Sequence, residues 1–352
     1  MQLNKIYQGD SLEVLKTLPS SSINCCVTSP PYYGLRDYGM TDQIGLEETP
    51  ELFIARLVTV FNEVYRVLKP EGTLWVNIGD SYASAPKKRV PAHAKKNNQN
   101  CLHQINKITG GLKAKDLIGI PWMLAFALRA AGWYLRQDII WSKPNPMPES
   151  VTDRCTKAHE YIFLLSKSNK YYFDAESIKT LVSDATVIRM AQQLEKQKGS
   201  DRVPGRTNGT MKAVGPGRNA RKGIDVKGGN QGAEKGIPAM GLKGNGFKDH
   251  SGYFTPDGKL IGDGKANKKS VWTVATMPFT EAHFATFPED LIVDCIKAGC
   301  PLDGIVLDPF SGAATTGLVS RKLGRNFVAI ELNPEYIELS DRRLFNELGI
   351  FN

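Results

Sequence analysis

The amino-acid sequence predicts an α/β fold with a doubly wound, mostly parallel sheet. Three features point there. Between residues 23 and 78, short apolar runs alternate with a helix-patterned segment. The same rhythm resumes after Trp272. Within that second stretch, a turn of small residues at 308–317 joins an apolar strand to a helix, which is where such sheets bind ligands.

In chain order, residues 23–27 read as a buried strand and residues 51–68 as an amphipathic helix stopped by Lys69-Pro70-Glu71-Gly72. A strand follows at 74–78, a helix at 117–130, and strands near 134–141 and 161–165. From about residue 196 to 270 the composition shifts to Gly, Lys and Asn with little apolar periodicity, so this segment builds little core. It reads as a linker or as a basic region that orders on a partner, and the two readings are compatible. The α/β rhythm then returns with a helix over 288–298, a strand at 305–307, a helix over 315–323, a strand at 327–330 and a final helix from Pro334. This last unit is too small to stand alone and is expected to complete the sheet begun by the first. The expected organisation is therefore residues 1–180 and 271–352 as parts of one domain, interrupted by a basic, Gly-rich insert at 181–270.

A chain of 352 residues with 41% hydrophobic content can bury a substantial core. No apolar run is long enough to span a membrane, and the first ten residues lack the apolar core of a signal peptide, so a cytoplasmic location is expected. The cysteines Cys25, Cys26, Cys101, Cys155, Cys295 and Cys300 form no C-x-x-C pair, which favours neither a zinc site nor a disulfide framework, and no metal is expected. The net charge of +9 is unevenly spread. Residues 86–115 hold eight Lys/Arg and no acid, and residues 181–270 hold seventeen Lys/Arg against eight acids, which leaves the remainder acidic. Two basic segments on an acidic body suit a polyanion, with nucleic acid the leading partner.

Two loops carry the chemistry. Asp308-Pro309-Phe310-Ser311-Gly312 opens the turn after the strand at 305–307, and Glu331 ends the next strand, where a carboxylate can accept hydrogen bonds from ribose hydroxyls. Neither the G-x-G-x-x-G dinucleotide fingerprint nor the G-x-x-x-x-G-K-[ST] phosphate loop occurs, so NAD and ATP are disfavoured. The acidic strand end suits a ligand with cationic portions, such as S-adenosylmethionine. The second loop, Ser29-Pro30-Pro31-Tyr32, follows the strand at 23–27 directly. Its two prolines fix φ and remove donors, leaving carbonyl oxygens as acceptors. An amino group on a base, bonded to the Ser29 hydroxyl and the Pro30 carbonyl, would have its lone pair aimed for attack, with Tyr32 stacked on the base. Taken alone, the same four residues also read as a rigid surface turn. The preceding strand, the following Tyr33 and the separate cofactor-like turn favour the catalytic reading.

Together these blocks resemble the amino-group DNA methyltransferases in the β arrangement, where the catalytic motif precedes the cofactor motif. The resemblance implies a circularly permuted class I methyltransferase fold, S-adenosylmethionine as cofactor, double-stranded DNA as substrate and base flipping. It extends over Gly9-Asp10-Ser11, with Asp10 near the cofactor's adenine, and over the catalytic tetrapeptide. Trp141-Ser142-Lys143-Pro144-Asn145-Pro146-Met147-Pro148-Glu149, Asp153-Arg154 and His159-Glu160 resemble the segment shaping the target-base pocket, which makes Tyr33, Trp141, Lys143 and Asn145 candidate substrate contacts. His283 to Pro288, including Phe287, resembles the block at the methionine end of the cofactor, and Asp308 to Gly317 the cofactor loop. One departure is Ala314, where the family commonly has Gly. The resemblance also implies a restriction-modification role with a possible cognate restriction enzyme, and leaves monomer and homodimer open. A serine heading the tetrapeptide is commoner in cytosine-N4 enzymes, so cytosine N4 is expected, with adenine N6 the alternative. Methylation at cytosine C5 needs a cysteine nucleophile, and no Pro-Cys dipeptide occurs. A DNA-binding module on an inactive fold and an RNA methyltransferase are further alternatives, the first disfavoured because both loops are chemically intact.

Overall fold

The computed structural model describes residues 1–35, 40, 43–84, 108–182, 265–277 and 287–349. These form two units, one of Met1–Ile178 with Lys268–Asn352 and a second of Lys179–Asn267. In the first unit the strands are β1 (Lys5–Gln8), β2 (Ile23–Thr28), β3 (Leu68–Ile78), β4 (Tyr134–Ser142), β5 (His159–Ser166), β8 (Val271–Thr273), β9 (Ile305–Asp308) and β10 (Asn326–Glu331). In the second, β6 (Thr180–Leu181) pairs antiparallel with β7 (Lys265–Ala266). The helices are α1 (Ser11–Thr17), α2 (Pro50–Val67), α3 (Ile120–Ala130), α4 (Glu289–Gly299), α5 (Thr315–Lys322) and α6 (Pro334–Leu348).

The eight-stranded sheet runs β1-β10-β9-β2-β3-β5-β4-β8. Pairing is parallel from β1 across to β3, and β5 is antiparallel to both β3 and β4. The expected α/β fold with a mostly parallel sheet is found, and β9 and β10 join β2 as expected for a sheet completed by the C-terminal segment. The central strands are apolar at successive positions because both faces are covered. On β5, Phe163 and Leu165 enter a core beneath α1, α2 and α3, while Ile162 and Leu164 enter one beneath α4. β9 divides the same way at Leu307 and Val306.

Local sequence explains the helix on which the catalytic loop leans. Thr49 caps α2 by accepting the Leu52 amide at 3.3 Å, Pro50 lies in the first turn, and Phe53, Leu57, Val60, Phe61 and Val64 recur at helical spacing on the buried side. The predicted stop at residues 69–72 takes a different form. The register jumps from Ile23↔Leu68 to Cys25↔Thr73, so these residues bulge within β3 instead of separating helix from strand. The helix expected from residue 117 starts at Ile120, because Gly119 at φ 86° takes a left-handed conformation just before it. β1, α1 and β8 carry no clear signal in the sequence pattern; β1 has only four residues and lies at the sheet edge. Cys25, Cys26, Cys295 and Cys300 are buried thiols, as apolar-like cysteines tend to be, and Cys155 is exposed. Among the described residues, no helix is long and apolar enough to cross a membrane.

Candidate active site

The carboxyl ends of β2, β3, β9 and β10 surround a cavity of about 950 Å³. One half is lined by Asp10, Phe287, Pro309 to Gly312 and Glu331, the other by Ser29 to Tyr32, Trp141, Lys143, Asn145 and Glu160. Both predicted loops thus open into a single space, because β2 and β9 are hydrogen-bonded neighbours in the sheet.

In the first half, Glu331 anchors the cofactor-like turn. Its carboxylate accepts the Gly312 amide at 2.8 Å and the Asn333 amide at 2.9 Å, and burial raises its pKa above the ordinary carboxylate value. Gly312 lies at φ +52°, and a β-carbon there would meet nothing within 4 Å, so the backbone is open to a close ligand. Among the described residues, the buried Ser311 hydroxyl has no hydrogen-bond partner. An orphaned hydroxyl, a bare glycine and a carboxylate beside one cavity fit a polar nucleoside ligand with ribose hydroxyls. Asp10 lines this half while capping α1, accepting the Leu12 amide at 2.9 Å and the Glu13 amide at 3.1 Å. Ser11 bonds the Pro309 carbonyl at 2.6 Å, which ties the N-terminal turn to the cofactor-like turn.

Two sequence expectations are corrected here. Asp308 does not line the cavity. Its carboxylate is buried and accepts from the Thr28 hydroxyl at 2.6 Å, the Thr316 hydroxyl at 2.7 Å and the Phe310 amide at 3.0 Å. Burial raises its pKa despite these three donors. Asp308 therefore ties β9 to β2 and α5 as an internal acceptor. Tyr33 is likewise a core residue, 2% exposed, with its ring 5.4 Å from that of Phe53 and its phenol pushed up to about 12 chiefly by burial. Successive residues leave the loop in opposite directions, so Tyr32 lines the cavity and Tyr33 packs away from it.

The second half is organised around Tyr32. Its hydroxyl donates to Glu160 at 2.6 Å and lies 3.4 Å from the Asn77 side-chain oxygen, while burial and the Glu160 carboxylate hold the phenol well above its ordinary pKa. Ser29 donates to the same Asn77 oxygen at 3.4 Å, and Asn77 is held by the Tyr161 carbonyl at 3.2 Å. Glu160 forms an ion pair with Lys143, whose ammonium also lies 4.3 Å from the Trp141 ring centroid. Gly79 makes this arrangement possible, since a β-carbon there would stand 2.8 Å from the Tyr32 ring. Among the described residues, no donor reaches the Pro30 carbonyl.

Trp141 forms a wall of the cavity and anchors itself by donating to the Val274 carbonyl at 2.8 Å. Asn145 also lines the cavity, with its side-chain amide bonded at both ends to the Thr276 backbone. Asp80, after β3, accepts the Gly119 and Ile120 amides and so caps α3. Residues 283–286 lie outside the described residues. Asn77 and Gly79 escaped sequence reasoning. The signal available for Asn77 was one polar residue inside the apolar run 74–78.

Comparison with known proteins gives consistent matches. A family model for DNA methylases of the N6/N4 type matches residues 23–342. The chain is 42% identical over 342 residues to the Type II methyltransferase M.Cfr9I of Citrobacter freundii, covering 97% of this chain and 88% of that one. Its fold is similar to that of the PvuII DNA methyltransferase (cytosine-N4-specific), with TM-score 0.57, 17% identity, and 96% and 85% of the two chains covered. It is also similar to a Thermus thermophilus protein described as a DNA modification methylase and solved with S-adenosyl-L-methionine, with TM-score 0.53, 20% identity, and 99% and 95% covered.

Proposed function

The chain belongs to the N6/N4 DNA methylase family, and on that footing we propose that it methylates N4 of a cytosine turned out of duplex DNA. The enzyme is a DNA methyltransferase that uses S-adenosylmethionine to modify an exocyclic amino group. When bound, the cofactor supplies an electrophilic methyl group on a sulfonium. The choice of cytosine rests on Ser29 at the head of the catalytic loop, and the PvuII enzyme of the same fold is described as cytosine-N4-specific.

The chain's own residues do the rest by position. Glu331 would accept hydrogen bonds from the ribose, Ser311 would offer its unpaired hydroxyl, and Gly312 would let the ligand approach the backbone. An exocyclic NH2 is a poor nucleophile, because its lone pair is delocalised into the ring. Its two hydrogens, given to Ser29 Oγ and the Pro30 carbonyl, draw the nitrogen towards tetrahedral geometry and aim the lone pair along the transfer axis. Asn77 holds Ser29, and the Tyr32 ring offers a face for the base. With the cofactor bound, a new N–C bond would form as the methyl C–S bond breaks, and one amino proton would go to solvent, so the chain need supply no strong base. Reaching the amino group inside a duplex requires the base to leave the stack.

We assign Lys179–Asn267, with its excess of basic residues, to target recognition, and the Type II methyltransferase relative supports a restriction-modification role in the cytoplasm with a cognate restriction enzyme as counterpart. The observation that carries the reading is that the Ser29 loop and the Gly312 turn share one cavity. Ser29→Ala should lower kcat on the order of a hundredfold, as loss of one aimed hydrogen bond does elsewhere. Cofactor affinity, measured by calorimetry, should stay unchanged. Full activity of Ser29→Ala would remove the hydroxyl from the mechanism.

A further inference from the structure

Two methionines stand in water at the mouth of the cavity. Met147 is 85% exposed and Met277 is 67% exposed, and both line the cavity rim. Neither position is a loose tip. Met147 lies between Pro146 and Pro148, with Pro144 three residues earlier, so the backbone carrying it is stiff. Met277 follows Thr276, whose amide donates to Asn145 Oδ1 at 2.9 Å and whose carbonyl accepts from Asn145 Nδ2 at 3.0 Å. The Asn145 side chain therefore fastens the two methionine-bearing segments to each other. Lys143 and Lys157 line the same cavity.

A stiff pair of apolar side chains at a cavity mouth gains free energy only when something apolar covers it. Resting on the reading that the base leaves the duplex, we propose that Met147 and Met277 form the wedge that enters the space the target base vacates. That space is bounded by the flat apolar faces of the neighbouring base pairs, and it opens where the base enters the cavity. Methionine suits it, because an unbranched thioether slides between planar rings and is polarizable against them, and apolar side chains inserted at base steps are a recurring device. The wedge stabilises the flipped state and acts on the reaction only through the population of that state.

The test needs the recognition site, which single-molecule sequencing of DNA from cells expressing the enzyme will locate. Duplexes are then made with the target base normally paired, or placed opposite an abasic site, where leaving the stack costs little. For a Met147→Ser/Met277→Ser double variant, kcat/KM on the paired duplex should fall roughly tenfold or more, since the unstacking cost is no longer offset. The fluorescence of 2-aminopurine at the target position, which reports unstacking, should fall with it. On the abasic-opposed duplex the variant should recover to within about twofold of the parent enzyme. Met147→Leu/Met277→Leu should retain activity on both. An undiminished rate on the paired duplex would overturn the proposal, and so would an equal loss on both duplexes, which would mean that the residues serve packing or another contact. The abasic-opposed duplex also separates this proposal from the one beneath it: if the parent enzyme places no methyl on a base amino group there, the catalytic reading itself has failed.

Discussion

Tyr32 meets three constraints with one side chain. Its ring crosses Gly79, its hydroxyl is tied to Glu160 and Asn77, and its remaining face borders the cavity. The charged hydrogen bond to Glu160 fixes the ring plane that a base would stack on, so Glu160 is a positioning residue acting through Tyr32. Tyr32→Phe and Glu160→Gln should each lower kcat/KM, whereas the double variant should be little worse than either. A coupling of about 1–3 kcal/mol is expected for a hydrogen bond to a charged partner. Additive losses would show that Glu160 works independently of Tyr32. The sequence disclosed residue types at this scale but not directions. Tyr32 and Tyr33 are identical as letters, and only the path of the loop sends one to the cavity and the other against Phe53. Asp308 was recognisable as important, yet its role as an internal tie depends on Thr28, distant in sequence and adjacent only through the β2–β9 pairing.

Among the elements, the turn between β9 and α5 explains the Ala314 departure. Ala314 adopts a left-handed conformation, φ 56° and ψ 30°, immediately before α5, where glycine would be unstrained. Its methyl group is fully buried against Ile6, Phe327 and Ala329 and does not line the cavity. Left-handed strain of about 1–2 kcal/mol is therefore offset by burial of the methyl and by the smaller unfolded-state entropy of alanine, about 1 kcal/mol each. Ala314→Gly should change unfolding free energy by less than about 1 kcal/mol and leave cofactor affinity unaltered, as denaturant unfolding and calorimetry will show. A large drop in affinity would mean that the methyl shapes the cofactor site. Elements with strong local signals were legible beforehand, α2 and the β9–α5–β10 run above all. β1 was not, because four residues at a sheet edge acquire their identity from pairing with β10. Asn77 was hidden for the same reason, and Glu160 was visible only as part of a resembling block: their meeting depends on the antiparallel pairing of β3 with β5, a long-range contact.

At the scale of the whole molecule, the cavity's lining among the described residues comes from the unit formed by Met1–Ile178 and Lys268–Asn352. Thr180 pairs with Ala266 inside the other unit, so the two ends of that unit lie side by side. Replacing Lys179–Asn267 with a short flexible linker should therefore leave cofactor binding intact while abolishing methylation of DNA. Retained methylation would make the unit dispensable. The excess of basic charge was legible in residues 181–270, and the small size of the C-terminal α/β unit led to the expectation of a sheet shared by both ends of the chain, the arrangement of β9 and β10 beside β2. The central claim concerns which atom receives the methyl group. Incubation with duplex DNA and isotopically labelled S-adenosylmethionine, digestion to nucleosides, and chromatography with mass detection against N4-methyl-, 5-methyl- and N6-methyl standards tests it most directly. Chromatographic separation is essential, because the two methylcytosines have equal mass. Label in N4-methyldeoxycytidine is the predicted result, and label confined to N6-methyldeoxyadenosine would contradict the account.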